Sequence, residues 1–236
     1  MQLKINLLKT SSLPIKEQLA LEEALLRTSD ENWILLNTGS PPAIVMGISG
    51  KPEELIHIEQ MHCSKIPLIK RFSGGGTVVV DEQTLFATFI FNKGALPLKE
   101  EPRAIMKWTE GFLAPFFKDL PFALRENDYV LGEKKFGGNA QYIQRGRWLH
   151  HTSFLWDYCP SKMELLKLPK RRPEYRADRC HSDFLTCLKE YYPCKEQFLE
   201  ELSRYFQESL QVKEVSLEEV LPHLEKPHRK ATLHLA

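Results

Sequence analysis

The sequence predicts an α/β (α+β) domain in which mixed or antiparallel sheets are flanked by helices. Apolar residues recur at helical spacing over residues 14–29, 102–117 and 195–210. Between them lie short β-branched and aromatic runs, such as Thr77-Val78-Val79-Val80 and Ala87 to Asn92. The 236 residues are enough for one full core, and no internal repeat or low-complexity segment divides them. One domain over residues 1–236 is therefore expected.

Taken in order, the first helix spans residues 14–29. It opens on Pro14, whose fixed φ suits a first turn, and closes near Ser29-Asp30. Residues 33–36 and 43–46 are expected to form a strand pair across the Gly39-Ser40-Pro41-Pro42 turn, and residues 53–63 a short helix. Strands over 68–72 and 77–80 flank a triple glycine, and 87–92 is a further apolar strand. In residues 102–117, Ile105, Trp108, Phe112, Leu113 and Phe116 fall on one helical face. Residues 127–140 read as strand, tight turn at Gly132-Glu133, and strand. Residues 148–156 form another strand, whose alternation sends His150 and His151 to opposite faces, so at most one reaches a shared pocket. A short helix over 163–168 precedes a basic, proline-bounded loop over 168–176. The last helix places Phe198, Leu202, Tyr205 and Phe206 on one face, and the polar tail beyond Gln211 is expected to pack loosely.

Composition excludes several classes. A net charge of +1 offers no broad basic surface, so nucleic acid is not an expected partner. The start, Met1-Gln2-Leu3-Lys4-Ile5-Asn6, lacks a long apolar core and a small-residue cleavage site, and no run approaches about 18 apolar residues. A cytoplasmic protein without a membrane partner is expected. Five cysteines, at 63, 159, 180, 187 and 194, contain no Cys-x-x-Cys, and the wide spacing of the last three does not suit zinc. Reduced structural thiols are the expectation.

The chemistry is expected in three segments. Lys70-Arg71-Phe72-Ser73-Gly74-Gly75-Gly76-Thr77 joins a basic pair to glycines that let the backbone approach a ligand closely. It has neither a P-loop ending nor the Gly-x-Gly-x-x-Gly spacing, and a plain hairpin between two strands is the alternative. In the second segment, Lys134 and Lys135 stand beside Gly137-Gly138, where an ammonium can meet an oxyanion; ordinary surface lysines at a hairpin tip are the other reading. The third is the His150-His151 pair.

Together these residues resemble the lipoate–protein ligase A family of the biotin/lipoate ligase group. The resemblance rests on Lys70-Arg71, Ser73 to Gly76, Asp81, Asn127-Asp128, Gly132-Glu133-Lys134-Lys135, Gly138-Asn139-Ala140 and His150-His151, in that order. Upstream, residues 18–26 are similar to the family's first helix and Pro42 to Gly47 to its following strand. It covers residues about 15–190, taken as a catalytic core of biotin/lipoate ligase-like fold, leaving a helix and tail over 194–236.

The resemblance implies ATP-dependent activation of lipoate to lipoyl-adenylate, with Mg²⁺ bridging the triphosphate. The lipoyl group would then pass to one lysine of an acceptor, a lipoyl domain of a 2-oxoacid dehydrogenase E2 subunit or the glycine-cleavage H protein. It assigns Lys135 as the catalytic residue. It assigns adenylate binding to Arg71, Ser73, Gly74, Gly75, Gly76, Thr77, Val78, Val79, Asp128, Lys135, Gly138 and His151, with Asp128 also near the metal. The chain departs from the family pattern at Val80-Asp81, where His-Asp is usual, and at Gly47-Ile48-Ser49-Gly50, which lacks a charged ligand-binding residue. About forty residues follow the core, too few for the family's extra C-terminal domain of roughly a hundred. The single-domain form is therefore implied, either as a self-sufficient ligase or as a lipoyltransferase that needs an accessory ligase subunit. An octanoyltransferase using carrier-bound octanoate ranks lower, because no cysteine lies between Cys63 and Cys159. A biotin ligase would carry a different loop, and a binding or scaffold protein that kept the fold would be marked by loss of Lys135, which is present.

Overall fold

Strands with both faces covered need apolar residues at nearly every position. The runs Asn-Trp-Ile-Leu-Leu-Asn-Thr and Thr-Leu-Phe-Ala-Thr-Phe-Ile-Phe-Asn are of this kind, and both lie in the middle of a large sheet. The computed structural model describes residues 3–168 and 172–236. In chain order it begins β1 (Ile5–Ser11), α1 (Ile15–Thr28), β2 (Asn32–Thr38), β3 (Ala43–Met46), α2 (Pro52–Leu55), α3 (Ile58–Ser64) and β4 (Leu68–Lys70). Next come β5 (Val78–Val80), β6 (Thr84–Asn92), α4 (Pro102–Leu113), β7 (Phe122–Arg125), β8 (Asp128–Leu131), β9 (Lys134–Gln144) and β10 (Arg147–Leu155). The described chain closes with α5 (Pro160–Met163), α6 (His181–Phe184), α7 (Lys195–Leu210), β11 (Val212–Val215), two short helical turns and β12 (Leu233–His234).

Eight strands form one sheet in the order β11-β1-β2-β6-β10-β9-β8-β7, and four form a second, β12-β4-β3-β5. The pairs β11/β1 and β1/β2 are parallel, with α1 as the crossover of the second, and the rest of the large sheet is antiparallel. Strand alternation then sorts side chains into three clusters. Ile34, Leu36, Phe89 and Phe91 meet Ile105, Leu113, Phe198 and Phe206 from α4 and α7 on one face. On the other face Leu35, Phe86, Ile90 and Leu149 meet Leu19 and Leu25 of α1 and Val45, Ile69 and Val80 of the small sheet. The far side of the small sheet packs Ile44, Met46 and Val79 against Met61, Leu165 and Phe184. Each fully buried Phe or Leu contributes roughly 1.5–3 kcal/mol. Among the described residues no helix is long and apolar enough to cross a membrane.

Several expected elements differ. Residues 33–36 and 43–46 are strands but not partners: β2 pairs with β1 and β6, whereas β3 lies in the other sheet between β4 and β5. Both runs are apolar enough to be central, and local sequence does not choose their neighbours. The expected helix over 53–63 is two short helices, interrupted where Ile56 bridges to Leu166. That bridge also takes Leu166 out of the helix expected over 163–168; helix forms instead over Pro160–Met163, with proline in its first turn. The tail is tied down rather than loose. Strand β11 extends the large sheet, β12 pairs with β4, and the N–H groups of Ala231 and Thr232 donate to the buried Glu23 carboxylate at 2.9 and 3.1 Å. Of the basic loop, residues 169–171 lie outside the described residues.

Candidate active site

The triple glycine does not close a hairpin. Strands β4 and β5 lie on opposite sides of β3, so the loop must cross the end of that strand. It passes over Gly47, where a Cβ would overlap the Gly75 carbonyl oxygen. Gly75 itself has φ +99°, and a Cβ there would stand 2.6 Å from Arg71 Nη2. Gly74 and Gly76 face open space instead. The plain-hairpin alternative is thereby set aside.

Below the loop is a cavity of about 820 Å³ between α1, the two sheets and the segment after residue 172. Ile15, Leu19, Val45, Val80 and Phe86 make part of its wall apolar. The polar wall comes from β8, β9 and β10, where Asp128 stands opposite Gly138 and Ala140 opposite His151. Lys135 would ordinarily point to the other face. A bulge between Tyr129 and Val130 shifts the register so that Lys135 stands opposite Val130, on the face of Asp128. Lys135 Nζ reaches Asp128 Oδ1 at 2.7 Å, and Tyr175 donates to Asp128 Oδ2 at 2.9 Å. Lys134 is exposed and lines no part of the cavity.

A second network supports the loop. Glu22, fully buried on α1, accepts hydrogen bonds from Gln18 at 2.8 Å and Thr88 at 2.7 Å, and pairs with His151 Nδ1 at 2.9 Å. His151 Nε2 lies 3.2 Å from Ser73 Oγ, which accepts from Arg71 Nε at 3.1 Å. Facing the Glu22 carboxylate, Nδ1 carries a proton, and Nε2 lies within hydrogen-bond distance of the serine. Arg71 also donates through Nη2 to the Gly74 carbonyl at 2.6 Å. Burial lowers its pKa to about 10, opposed by the nearby Glu22 charge, so it remains a cation. On the opposite face His150 is fully buried; burial, then the neighbouring His151, lowers its pKa to about 3. The two histidines therefore divide as alternation requires.

Of the expected site residues, Arg71, Gly74, Gly75, Gly76, Thr77, Val78, Asp128, Lys135, Gly138 and His151 line this one cavity. Ser73 and Val79 do not. Ser73 is fully buried and holds His151 and Arg71, while Val79 turns its side chain into the cluster beyond the small sheet. The Arg71 guanidinium is turned toward the loop's own carbonyl, so its main contact is with the loop. Each Asp128 carboxylate oxygen accepts one hydrogen bond, from Lys135 and from Tyr175, and keeps a second acceptor site. No group of three metal-type ligands occurs among the described residues. The arginines of residues 173–184, Arg176 among them, read from sequence as an acceptor-docking or phosphate surface, or else as solvated linker charge. Sequence reasoning missed Glu22 and the contact of Tyr175; for Glu22 a signal was available, since it interrupts the apolar stripe of Leu19, Leu25 and Leu26 on α1. A separate cavity of about 450 Å³ between the large sheet and α7 holds none of the expected residues.

Comparison with known proteins decides the family. The model of the lipoyl protein ligase A/B catalytic domain matches residues 14–211. The chain belongs to this lipoyl protein ligase family. Its curated relatives include the "Inactive lipoate–protein ligase 2" of Plasmodium falciparum, 27% identical over 90% of this chain and 72% of the relative. Another is the "Probable lipoate-protein ligase A" of Mycoplasma genitalium, 28% identical over 79% of this chain and 57% of the relative. The chain thus spans little more than half of the length of the Mycoplasma protein. In solved structures its fold matches a lipoate-protein ligase A bound with ATP at TM-score 0.74 and 19% identity, covering 95% of this chain and 93% of that one. It matches equally a bi-partite lipoate protein ligase, studied with its E2 lipoyl domain, from Thermoplasma acidophilum, at TM-score 0.74 and 19% identity over 95% and 91%. At these identities the likeness is one of fold.

Proposed function

We propose that this chain activates lipoate with ATP and transfers the lipoyl group to a lysine of an acceptor lipoyl domain in the cytoplasm. The acceptors would be E2 subunits of 2-oxoacid dehydrogenases and the glycine-cleavage H protein. The observation that carries the reading is Lys135, set by a strand bulge beside Asp128 in a cavity roofed by Gly74 to Gly76. The apolar wall of Ile15, Leu19, Val45, Val80 and Phe86 suits an acyl chain, and the loop and Lys135 suit a phosphate. In the first step a lipoate carboxylate oxygen attacks the α-phosphorus of ATP, and the bond to pyrophosphate breaks. In the second the acceptor amine attacks the lipoyl carbonyl carbon, the bond to AMP breaks, and the amine proton passes to solvent. In both, Lys135 Nζ donates to oxygen that gains negative charge, while Asp128 keeps the ammonium in place. Mg²⁺ would arrive on the triphosphate, with Asp128 the carboxylate near it, and no step of this account is routed through it.

A second reading has one observation in its favour: one fold neighbour is described as bi-partite. On that reading the chain receives lipoyl-adenylate from an accessory subunit and performs only the transfer. The purified chain is incubated with an apo lipoyl domain and lipoate, with and without ATP, and in parallel with synthetic lipoyl-adenylate. The intact mass of the acceptor is then measured. Modification with ATP is the expected result; modification by the preformed adenylate alone selects the transferase. An unmodified acceptor in every tube would sink both and turn attention to carrier-bound octanoate as the acyl source.

A further inference from the structure

Arg176 stands in the cavity wall with hydrogen-bonding capacity unmet. It is carried by the 3-10 turn Glu174–Arg176 and is 5% exposed. Its Nε donates to the Arg179 carbonyl at 3.3 Å, and its guanidinium carbon lies 4.7 Å from the centre of the Phe184 ring. Among the described residues its buried Nη2 has no partner. A guanidinium stays charged and can only donate, so a buried N–H without an acceptor is costly unless a ligand supplies one. Four buried side-chain atoms among the described residues are orphaned in this way. Two of them, Arg176 Nη2 and Thr77 Oγ1, belong to residues lining this cavity.

The surroundings indicate what kind of acceptor is missing. Arg71, Lys135, Lys167, Arg172 and Arg176 line the cavity against the carboxylates of Glu126, Asp128 and Glu174, an excess of positive charge. All five have an acceptor: Arg71 the Gly74 carbonyl, Lys135 Asp128, Lys167 the Glu53 carbonyl at 2.7 Å, Arg172 Asp178 at 2.6 Å, and Arg176 the Arg179 carbonyl through Nε. Of the five, Arg176 alone leaves a buried nitrogen orphaned among the described residues. His181, in the same wall, is held below the usual histidine range by burial and then by the charges of Arg176 and Lys135, so both cations lie in one electrostatic neighbourhood. A planar fork beside an ammonium is the donor set that recognises phosphate.

We propose that Arg176 is the guanidinium that binds a phosphate oxyanion of the nucleotide, the role expected of Arg71. The inference rests on the function proposed above. Arg71 then shapes the glycine loop, and Arg176 reaches the ligand from the opposite wall.

Titration calorimetry on the full chain measures ATP, lipoyl-adenylate and lipoate binding to wild type, Arg176→Met and Arg176→Lys. Arg176→Met should weaken ATP about 10- to 100-fold, as expected for a lost charge-assisted hydrogen bond, with lipoate affinity held within about twofold. Weakening of ATP alone assigns Arg176 to the leaving pyrophosphate, and equal weakening of lipoyl-adenylate assigns it to the α-phosphate; either supports the inference. ATP affinity matching wild type overturns it, and so does a parallel loss of lipoate affinity, which would mark a purely structural role. If Arg176→Met does not fold, Arg176→Lys carries the test, because it keeps charge and stem but loses the fork. A wild-type chain that binds neither ATP nor lipoyl-adenylate overturns the proposed function and this inference with it.

Discussion

Lys135 shows how much a single residue depends on its backbone. Its ammonium is placed by the bulge opposite Tyr129 and Val130 and held at 2.7 Å by Asp128. Lys135→Ala should cut transfer from preformed lipoyl-adenylate about 10²- to 10³-fold, the usual scale for losing one transition-state donor. Its urea midpoint should stay close to that of wild type, since Asp128 keeps its bond from Tyr175. A variant with most of its transfer rate intact would remove Lys135 from the mechanism. His150 acts on stability instead. It is buried as a neutral ring, with Gln141 Nε2 3.0 Å from Nδ1, and its folded pKa of about 3 lies below the ordinary value of 6.5. Between these values the unfolded chain binds a proton that the folded chain refuses, so stability falls as pH drops. The contribution is complete above about pH 6.5 and declines from there toward pH 3. Urea unfolding at pH 7 and pH 5 should show the loss, and His150→Gln should flatten it.

At the scale of elements, α1 and the tail carry more of the site than their sequences suggest. Adjacent α1 residues do different work: Glu22 fixes His151 and so Ser73, while Glu23 receives the backbone of Ala231 and Thr232 together with Arg27. The captured segment then runs alongside β4, where Leu235 donates to the Leu68 carbonyl at 2.8 Å. Glu23→Gln would turn an amide N–H toward these donors, with a penalty of about 1–3 kcal/mol. Amide hydrogen exchange at residues 231–235 should speed up markedly, with the β6 and β10 amides unchanged. Unaltered protection there would mean that β4 pairing alone holds the tail.

At the scale of the whole molecule, the cavity joins parts that are far apart in sequence. The small sheet supplies the glycine loop, the large sheet supplies Lys135 and His151, and α1 closes the space between them. A ligand that bridges all three should stabilise the fold as one unit. At a concentration about 100 times its Kd it adds roughly 2.7 kcal/mol, which for a chain of this size raises Tm by about 5–10 °C. Thermal scans with a non-hydrolysable lipoyl-adenylate analogue measure this, and Lys135→Ala should reduce the shift. No shift for wild type at saturating analogue would argue against a shared site.

Much of this protein was legible in local pattern. Helical spacing marked α1, α4 and α7, alternation separated His150 from His151, and Gly132-Glu133 marked the β8–β9 turn, because each depends on neighbours within a few residues. The motif order in the chain also led to the family that the domain match shows. Strand partners were decided only in three dimensions, since β2 and β3 are equally apolar and nothing local says that they belong to different sheets. The same holds for the polar groups. Arg71 stands next to the glycines yet turns to their carbonyl, while Arg176, about a hundred residues away, brings to the same cavity a guanidinium whose buried Nη2 has no partner among the described residues. Sequence determined which residue types were available; packing determined which of their hydrogen bonds were already satisfied, and that balance sets what a site can bind.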